Sequence, residues 1–136
     1  MSAHLNPYLT FDGDARAAVE FYASVFGGTP SIMTFGDQGA PDPALADKVM
    51  HASLETPAGA VMASDTAPGM TYQPGNSMTV SLSGDDVEQL RGWFAQLAEG
   101  GEVSVPLEVQ VWGDEFGMCT DRFGVPWMVN ISQPQA

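Results

Sequence analysis

Two stretches of the chain repeat the same order of hydrophobic and polar positions. Residues 8–28 and residues 79–101 each begin with alternating apolar and polar residues, which predict a half-buried strand. Each stretch then contains a Gly-Asp pair and continues with apolar residues at the i, i+3, i+4, i+7 spacing of an amphipathic helix. Each helical pattern ends at a Gly-Gly pair, which suits a left-handed C-cap. The sequence therefore predicts two copies of one strand–helix unit.

The same alternation assigns the side chains to faces. In the first strand, Leu9 and Phe11 share the apolar face, and Tyr8 and Thr10 lie on the opposite face. The predicted buried helix positions are Ala18, Phe21, Tyr22 and Val25 in the first copy and Val87, Leu90, Phe94 and Leu97 in the second. Ser83 and Asp86 are the candidate N-caps of the second helix.

The correspondence between the two halves continues downstream. Residues 54–64 and 119–132 both predict a strand, a turn and a second strand, with the turns at Gly59 and Gly124. One further strand is predicted in each half, at 31–35 and 107–112. The order strand–helix–strand–strand–strand thus occurs twice.

We therefore predict an α+β fold of two tandem βαβββ modules that form a curved mixed sheet with a concave cleft and with helices outside. The chain 1–136 is expected to be a single domain, with module one at about 1–66, a Pro- and Gly-rich linker at about 67–75 and module two at about 76–133. The residues predicted to face the concavity are small or polar: Asn6, Tyr8, Thr10, Ser77, Thr79 and Ser81. Such a face suits a wet or ligand-filled cleft, and equally a face that is simply solvated.

Charge and composition narrow the class of partner. Seventeen Asp and Glu oppose four Lys and Arg, which gives a formal net charge of −13. Binding to nucleic acid or to an anionic membrane needs clustered Lys and Arg, so neither is expected. The start MSAHLNPYLTF lacks the basic and apolar regions of a signal peptide, and no segment is apolar enough to span a bilayer. With a single cysteine, Cys119, the chain cannot form an intrachain disulfide, and we expect a cytoplasmic protein.

Several strings of residues resemble the vicinal oxygen chelate superfamily, which includes glyoxalase I, extradiol dioxygenases and bleomycin resistance proteins. They resemble its PhnB-like branch in particular. The strings are PYLTFDGDARAAVEFYASVFGG at 7–28, KVMHASLETPAG at 48–59, SD at 64–65 and WGDEFGMCTDRFGVPWMVN at 112–130. The resemblance spans nearly the whole chain. It implies the tandem βαβββ fold and a homodimer, because a partner chain often completes the cleft in such proteins.

The resemblance also implies positions for a metal site, which enzymatic members of the superfamily build from His, Gln or Glu. The first-strand position falls near Tyr8, and the matching strand of the second half offers Ser77, Met78 and Thr79. The last position, four residues after the turn glycine, falls on Met128, with Ala63 as its counterpart in the first half. None of these side chains is a strong ligand for a divalent first-row metal. No cofactor is therefore expected, and a weak divalent metal site at His51 with Asp114 or Glu115 stays as an alternative.

Two residues are candidates for proton transfer. His51 lies in an alternating strand and has the side chain that titrates near neutrality. Asp114 follows Trp112-Gly113, and an acid beside aromatic walls is suited to proton transfer when its pKa is raised by desolvation. The structural alternatives are a hydrogen-bonded histidine at a strand edge and an aspartate that caps a turn.

Other residues are candidates for ligand contact because they are aromatic or lie on the predicted inner face. They are Tyr8, Ser77, Thr79, Trp112, Glu115, Phe116 and Met128. Cys119 and Trp127 are instead expected to be buried, and Asp121 to support the turn that precedes the last strand. Ubiquinone-precursor methyltransferase activity, a label found among PhnB-like proteins, is not supported, because no dinucleotide-type glycine-rich cradle is present.

Three functions stay open from the sequence. The first, which the residues favour, is metal-independent binding of a small organic ligand, with the acidic surface suited to an aromatic or cationic molecule. The second is an enzyme of the glyoxalase or isomerase type that uses His51 and Asp114. The third is a structural or interaction protein with a vestigial cleft.

Overall fold

The structure, a computed structural model, describes residues 3–39, 42–67 and 69–133. It divides into two compact units, residues 1–74 and residues 75–136. The boundary falls inside the segment that the sequence indicates as a linker. None of the helices among the described residues has the length and apolar character needed to cross a bilayer.

The first unit contains four strands and a long helix. Its elements are β1 (Tyr8–Phe11), α1 (Ala15–Phe26), β2 (Ser31–Thr34), a 3-10 turn (Gly36–Gln38), the short α2 (Pro43–Ala46), β3 (Val49–Thr56) and β4 (Gly59–Asp65). The strands form one sheet in the order β1-β4-β3-β2. β1 is parallel to β4, and the other neighbours are antiparallel.

The second unit has the same topology. Its elements are β5 (Val80–Gly84), α3 (Val87–Ala98), β6 (Glu102–Val109), β7 (Glu115–Thr120) and β8 (Pro126–Ile131). They form a sheet in the order β5-β8-β7-β6, with β5 parallel to β8. The predicted α+β class and the repeated βαβββ order are therefore confirmed.

One predicted strand was misplaced. The sequence placed it at 107–112, whereas β6 begins at Glu102 and ends at Val109. The pairing of β6 with β7 contains register irregularities between Val103 and Val105 and between Val105 and Glu108. These irregularities interrupt the alternation of apolar and polar residues that a sequence pattern relies on. As a result, Trp112 lies in the turn that follows β6.

Each long helix covers one face of its own sheet. α1 packs on β3 and β4, and α3 packs on the strands of the second sheet. Most predicted helix positions are buried, but Phe21 and Val87 keep partial exposure at the edges of their interfaces. The buried apolar residues of the first unit are Phe11, Ala15, Ala18, Val19, Tyr22, Val25, Phe26, Val49, Ala52, Leu54, Val61 and Ala63. Those of the second unit are Leu90, Phe94, Leu97, Cys119, Val125, Trp127, Val129 and Ile131.

The ends of the helices agree only in part with the sequence prediction. Asp86 caps α3 as predicted, because its Oδ1 accepts a hydrogen bond of 3.2 Å from the backbone N–H of Gln89. Ser83 belongs to β5 instead. The predicted left-handed helical caps are not formed: the C-cap of α1 is Gly27 with φ 90° and ψ −178°, and that of α3 is Glu99 in an extended conformation, although Gly27 and Gly100 both have positive φ.

The second glycine of each Gly-Gly pair has a different role. A Cβ atom on Gly28 would clash with the carbonyl oxygen of Glu55 in β3, and one on Gly101 would clash with that of Thr120 in β7. Each pair therefore lets the chain pass close against a strand as it leaves the helix. The repeat seen in the sequence is thus a packing requirement that both units share.

Candidate functional site

The face of the first sheet opposite α1, here called the open face, carries a hydrogen-bonded pair of aromatic side chains. The phenol oxygen of Tyr8 lies 3.2 Å from Nδ1 of His51, and the two ring centroids are 5.7 Å apart. Tyr8 is in β1 and His51 is in β3, so β4 separates their strands. Tyr8 is 49% exposed, which leaves one side of the pair accessible to a ligand.

Strand register explains why these side chains share the open face. Phe11, Ala52 and Ala63 are buried under α1, and side chains alternate between the faces of a strand. Tyr8 is paired with Met62, and Thr10 is paired with Ser64. The polar alternation read from the sequence thus places hydroxyl, imidazole and thioether groups together on one surface.

Two cavities in the first unit lie on either side of the Tyr8–His51 pair. One, of about 450 Å³, is lined by open-face and neighbouring residues that include Thr10, Met50, Ser64 and Met70. The other, of about 640 Å³, is lined by residues that include Asn6, Ser53, Glu55 and Met62. Along the chain, Asn6 of the larger cavity and Thr10 of the smaller one lie on either side of Tyr8, and Ser53 and Met50 lie likewise on either side of His51. These volumes are within the range of small-molecule sites.

A buried carboxylate holds the backbone around the smaller cavity. Asp65, which is only 4% exposed, ends β4. Its Oδ1 accepts hydrogen bonds from the N–H groups of Gly13 at 2.8 Å and Ala15 at 3.0 Å, and its Oδ2 accepts one from Val49 at 2.8 Å. Ala15 is the first residue of α1, so the acidic side chain also satisfies an unpaired donor at the helix N-terminus. Asp65 therefore fixes the position of β1, α1 and β3 together.

In the second sheet, the face opposite α3 carries two of the predicted ligand-contact residues. Phe116 in β7 is paired with Asn130, and Met128 in β8 is paired with Met118. All four side chains keep partial exposure, whereas their neighbours along each strand are buried. Trp112 lies in the turn before β7, is 58% exposed and meets Phe116 edge to face at 5.9 Å between ring centroids.

Glu115 faces the other side of that sheet. It is 7% exposed, and its carboxylate forms a salt bridge with Arg91 of α3, in which Nε also donates a hydrogen bond of 3.1 Å. The pair raises the pKa of Arg91 through hydrogen bonding and through the nearby negative charge. Glu115 is the first residue of β7, so the alternation that exposes Phe116 turns Glu115 towards the helix.

Asp114 is held by hydrogen bonds within the second unit. Its Oδ2 accepts a bond of 3.1 Å from Nδ2 of Asn130, and its Oδ1 accepts one of 3.3 Å from the backbone N–H of Gln133. Its carboxylate joins the start of β7 to the end of β8. Ser77 and Thr79 are both exposed and precede β5, which begins at Val80.

The residues at the positions implied for a metal do not fit one. Tyr8, Thr79 and Met128 carry no imidazole or carboxylate. Ala63 is buried under α1, and strand register makes Ser64 its open-face neighbour. Among residues 3–39, 42–67 and 69–133, no three His, Cys, Asp or Glu side chains are grouped closely enough to bind a metal ion. No step of chemistry is therefore assigned to a metal.

The sequence prediction missed Asp65 and the methionines that line the cavities. A signal for both was present. Met62 lies between the apolar Val61 and Ala63, at a position of the strand that alternation assigns to the polar face. Asp65 follows a long apolar alternation, where a charged residue indicates a specific partner.

The comparisons with known proteins agree with this architecture. The family model described as 3-demethylubiquinone-9 3-methyltransferase matches residues 3–130. The Escherichia coli protein YjdN is 31% identical, over 96% of this chain and 97% of its own length. The structure of PA1353 from Pseudomonas aeruginosa is 42% identical, with a TM-score of 0.88 over 98% of this chain and 100% of that one.

Two further structures with lower sequence identity have a similar fold. A PhnB protein from Bacillus cereus is 25% identical, with a TM-score of 0.74 over 96% of this chain and 100% of that one. A glyoxylase/bleomycin resistance protein/dioxygenase domain from Frankia is 15% identical with a TM-score of 0.66, over 98% of this chain and 99% of that one, which shows the fold alone. The resemblance to PhnB-like proteins is thereby confirmed, and the likeness to glyoxylase/bleomycin resistance/dioxygenase proteins is one of fold.

Proposed function

We propose that this chain, which belongs to the family described as 3-demethylubiquinone-9 3-methyltransferase, binds a small organic molecule on the open face of its first sheet. The observation that carries the proposal is the hydrogen-bonded Tyr8–His51 pair between two cavities. The methyltransfer in the family description is not part of the proposal. The described residues form two separate four-stranded sheets and contain no doubly wound parallel sheet, which is the usual cradle for such a donor.

The chemistry of the two cavities indicates an aromatic or cationic ligand. Their linings contain thioethers, hydroxyls and the exposed carboxylate of Glu55, and no Lys or Arg among the described lining residues. The formal net charge of −13 adds a long-range attraction for cations and a repulsion of anions. The exposed ring of Tyr8 provides a surface for stacking and for cation–π contact.

Fluorescence titration with two dyes tests this proposal. The planar cation berberine is expected to bind, and the anion 8-anilinonaphthalene-1-sulfonate is expected to bind at least about tenfold more weakly. Tyr8→Phe and His51→Gln should each weaken berberine binding by about threefold to tenfold, because each removes the hydrogen bond that joins these two rings. Tyr72→Phe is the matched control and should bind as the wild type does. If neither dye binds, or if all three variants bind equally, the proposal fails.

A second candidate function is proton transfer next to a carbonyl group, which the contact between Tyr8 and His51 favours. His51 can take the proton from carbon through Nε2 in the tautomer that carries its hydrogen on Nδ1 and donates it to the phenol oxygen of Tyr8. NMR detection of deuterium exchange at the carbon next to the carbonyl of dihydroxyacetone, in D₂O, tests this function. His51→Gln should abolish the exchange, and Asp114→Asn measures what Asp114 adds to it. Berberine binding without exchange would leave only the binding function.

A further inference from the structure

The methionines in the described part of the chain lie outside its hydrophobic cores. All seven described methionines keep part of their side chain exposed: Met33, Met50, Met62, Met70, Met78, Met118 and Met128. Methionine is normally among the more buried residue types. Here the cores are filled by Phe, Leu, Val, Ala and Trp instead. The placement of the methionines therefore needs an explanation other than core packing.

Four of these methionines surround the Tyr8–His51 pair. Met33 in β2 is the register partner of His51, and Met62 in β4 is that of Tyr8. Met62 lines the larger cavity, and Met50 and Met70 line the smaller one. The open face thus combines a hydrogen-bonded pair of rings with thioether side chains on both sides.

We propose that these methionines make the open face an adaptable surface, which binds polarisable aromatic cations of several shapes. The inference rests on the proposed function and specifies its ligand class. Methionine has three rotatable side-chain bonds and a polarisable sulfur that contacts aromatic rings favourably. Flexible methionine-rich surfaces can repack around different ligands. Meanwhile the Tyr8–His51 hydrogen bond and the buried Asp65 keep the underlying sheet fixed.

Three dyes of different shape test this inference: berberine, whose rings are fused at an angle, acridine orange, whose rings are fused in a line, and the propeller-shaped crystal violet, all of them cations. The wild-type chain should bind all three with dissociation constants within about tenfold of one another. The double variant Met50→Leu/Met62→Leu keeps apolar side chains of similar volume, so it should fold normally. It should lose about tenfold in affinity for at least one cation and less than about threefold for another, because leucine adapts less. Met78→Leu, an exposed position outside the strands, is the matched control.

Each outcome separates the inference from the proposed function. If no cation binds, the proposed function fails and the inference fails with it. If only one cation binds, the chain is a ligand-binding protein with a single preferred shape, and the inference is wrong. If all three bind but Met50→Leu/Met62→Leu behaves like Met78→Leu, the methionines do not provide the adaptability, and the inference is again wrong.

Oxidation mapping locates the contact directly. Hydrogen peroxide transfers one oxygen atom to a methionine sulfur, which becomes a sulfoxide, and the peroxide is reduced to water. Bound berberine should slow the oxidation of Met50 and Met62 by at least about threefold and leave Met78 unchanged. If saturating berberine leaves the oxidation rate of each of the three methionines unchanged, the ligand binds elsewhere and the inference is contradicted.

Discussion

The indole Nε1 of Trp127 donates a hydrogen bond of 2.9 Å to Oδ2 of Asp121, and both residues are buried. The other carboxylate oxygen of Asp121 accepts bonds from the N–H groups of Phe123 at 2.8 Å and Val125 at 3.1 Å. One charged side chain therefore closes the turn between β7 and β8 and anchors the largest residue of the second core.

Replacing Asp121 should destabilise the protein strongly. Asp121→Ala leaves three donors without this acceptor, and we expect the free energy of unfolding to fall by about 2–4 kcal/mol. Asp121→Asn keeps one acceptor oxygen and should cost less. Urea denaturation monitored by tryptophan fluorescence measures both variants. A loss below about 0.5 kcal/mol for Asp121→Ala would contradict the structural role.

Asp65 should have a comparable role in the first unit, by joining three separate segments. In Asp65→Asn, one side-chain oxygen is replaced by an NH₂ group that cannot accept from backbone N–H groups. The amides of Gly13, Ala15 and Val49 should therefore exchange with solvent deuterium faster than in the wild type, as measured by NMR. Asp12→Asn is the control, because that exposed carboxylate lies in the same loop. Unchanged exchange at all three amides would show that Asp65 is dispensable.

The Arg91–Glu115 salt bridge should respond unequally to removal of its two partners. Arg91→Met leaves a buried carboxylate without its partner, whereas Glu115→Gln leaves a half-exposed guanidinium that water can solvate. We therefore expect Arg91→Met to lower the urea midpoint more than Glu115→Gln. The double variant should be more stable than the sum of the two single losses predicts. Equal losses that simply add would indicate that the pair contributes no coupling.

Cys119 should be unreactive in the folded protein. Burial, and then the negative charge of Asp121, raise the pKa of its thiol to about 11. Alkylation by iodoacetamide at pH 8 should be at least about tenfold slower than in urea, because the thiolate is the nucleophile. Because the pKa of Cys119 is higher in the folded than in the unfolded protein, the thiol contributes stability that is fully present below pH 9. That contribution to the free energy of unfolding is lost as the pH rises towards 11. Cys119→Ala should therefore remove this part of the loss of stability at alkaline pH. Alkylation at equal rates in the folded protein and in urea would contradict the prediction that Cys119 is unreactive.

The fold could be predicted from the sequence because short local patterns mark each element of the repeated unit. Alternation assigned Tyr8 and Thr10 to the face opposite Phe11, and the register of β1 with β4 agrees. The Gly-Gly pairs marked the ends of the helices correctly, although they serve close packing against strands rather than left-handed caps. Patterns of two to four residues repeat wherever an element repeats, so they identify elements well.

The candidate site depended on relationships that no local pattern contains. The three donors to Asp65 are 16 to 52 residues away along the chain. Glu115 and Phe116 are adjacent, and only the start of β7 decides which of them faces α3. β7 follows a turn at Gly113 with φ 101°, and the sequence does not specify at which residue the alternation of β7 begins. Asp114 was a candidate acid in the sequence, and the structure adds its bonds to Asn130 and Gln133.

The hydrogen bond between Tyr8 and His51 should fix the tautomer of the imidazole. A phenol that donates to Nδ1 requires that nitrogen to be unprotonated, so neutral His51 should carry its proton on Nε2. The ¹⁵N resonances of the ring should therefore show one protonated and one unprotonated nitrogen, with Nε2 protonated. Tyr8→Phe removes the donor and should move the resonances towards those of free histidine, whereas Tyr72→Phe should not. A proton on Nδ1 in the wild type would reverse the direction of the bond, and Nε2 would then be the nitrogen that accepts from a ligand.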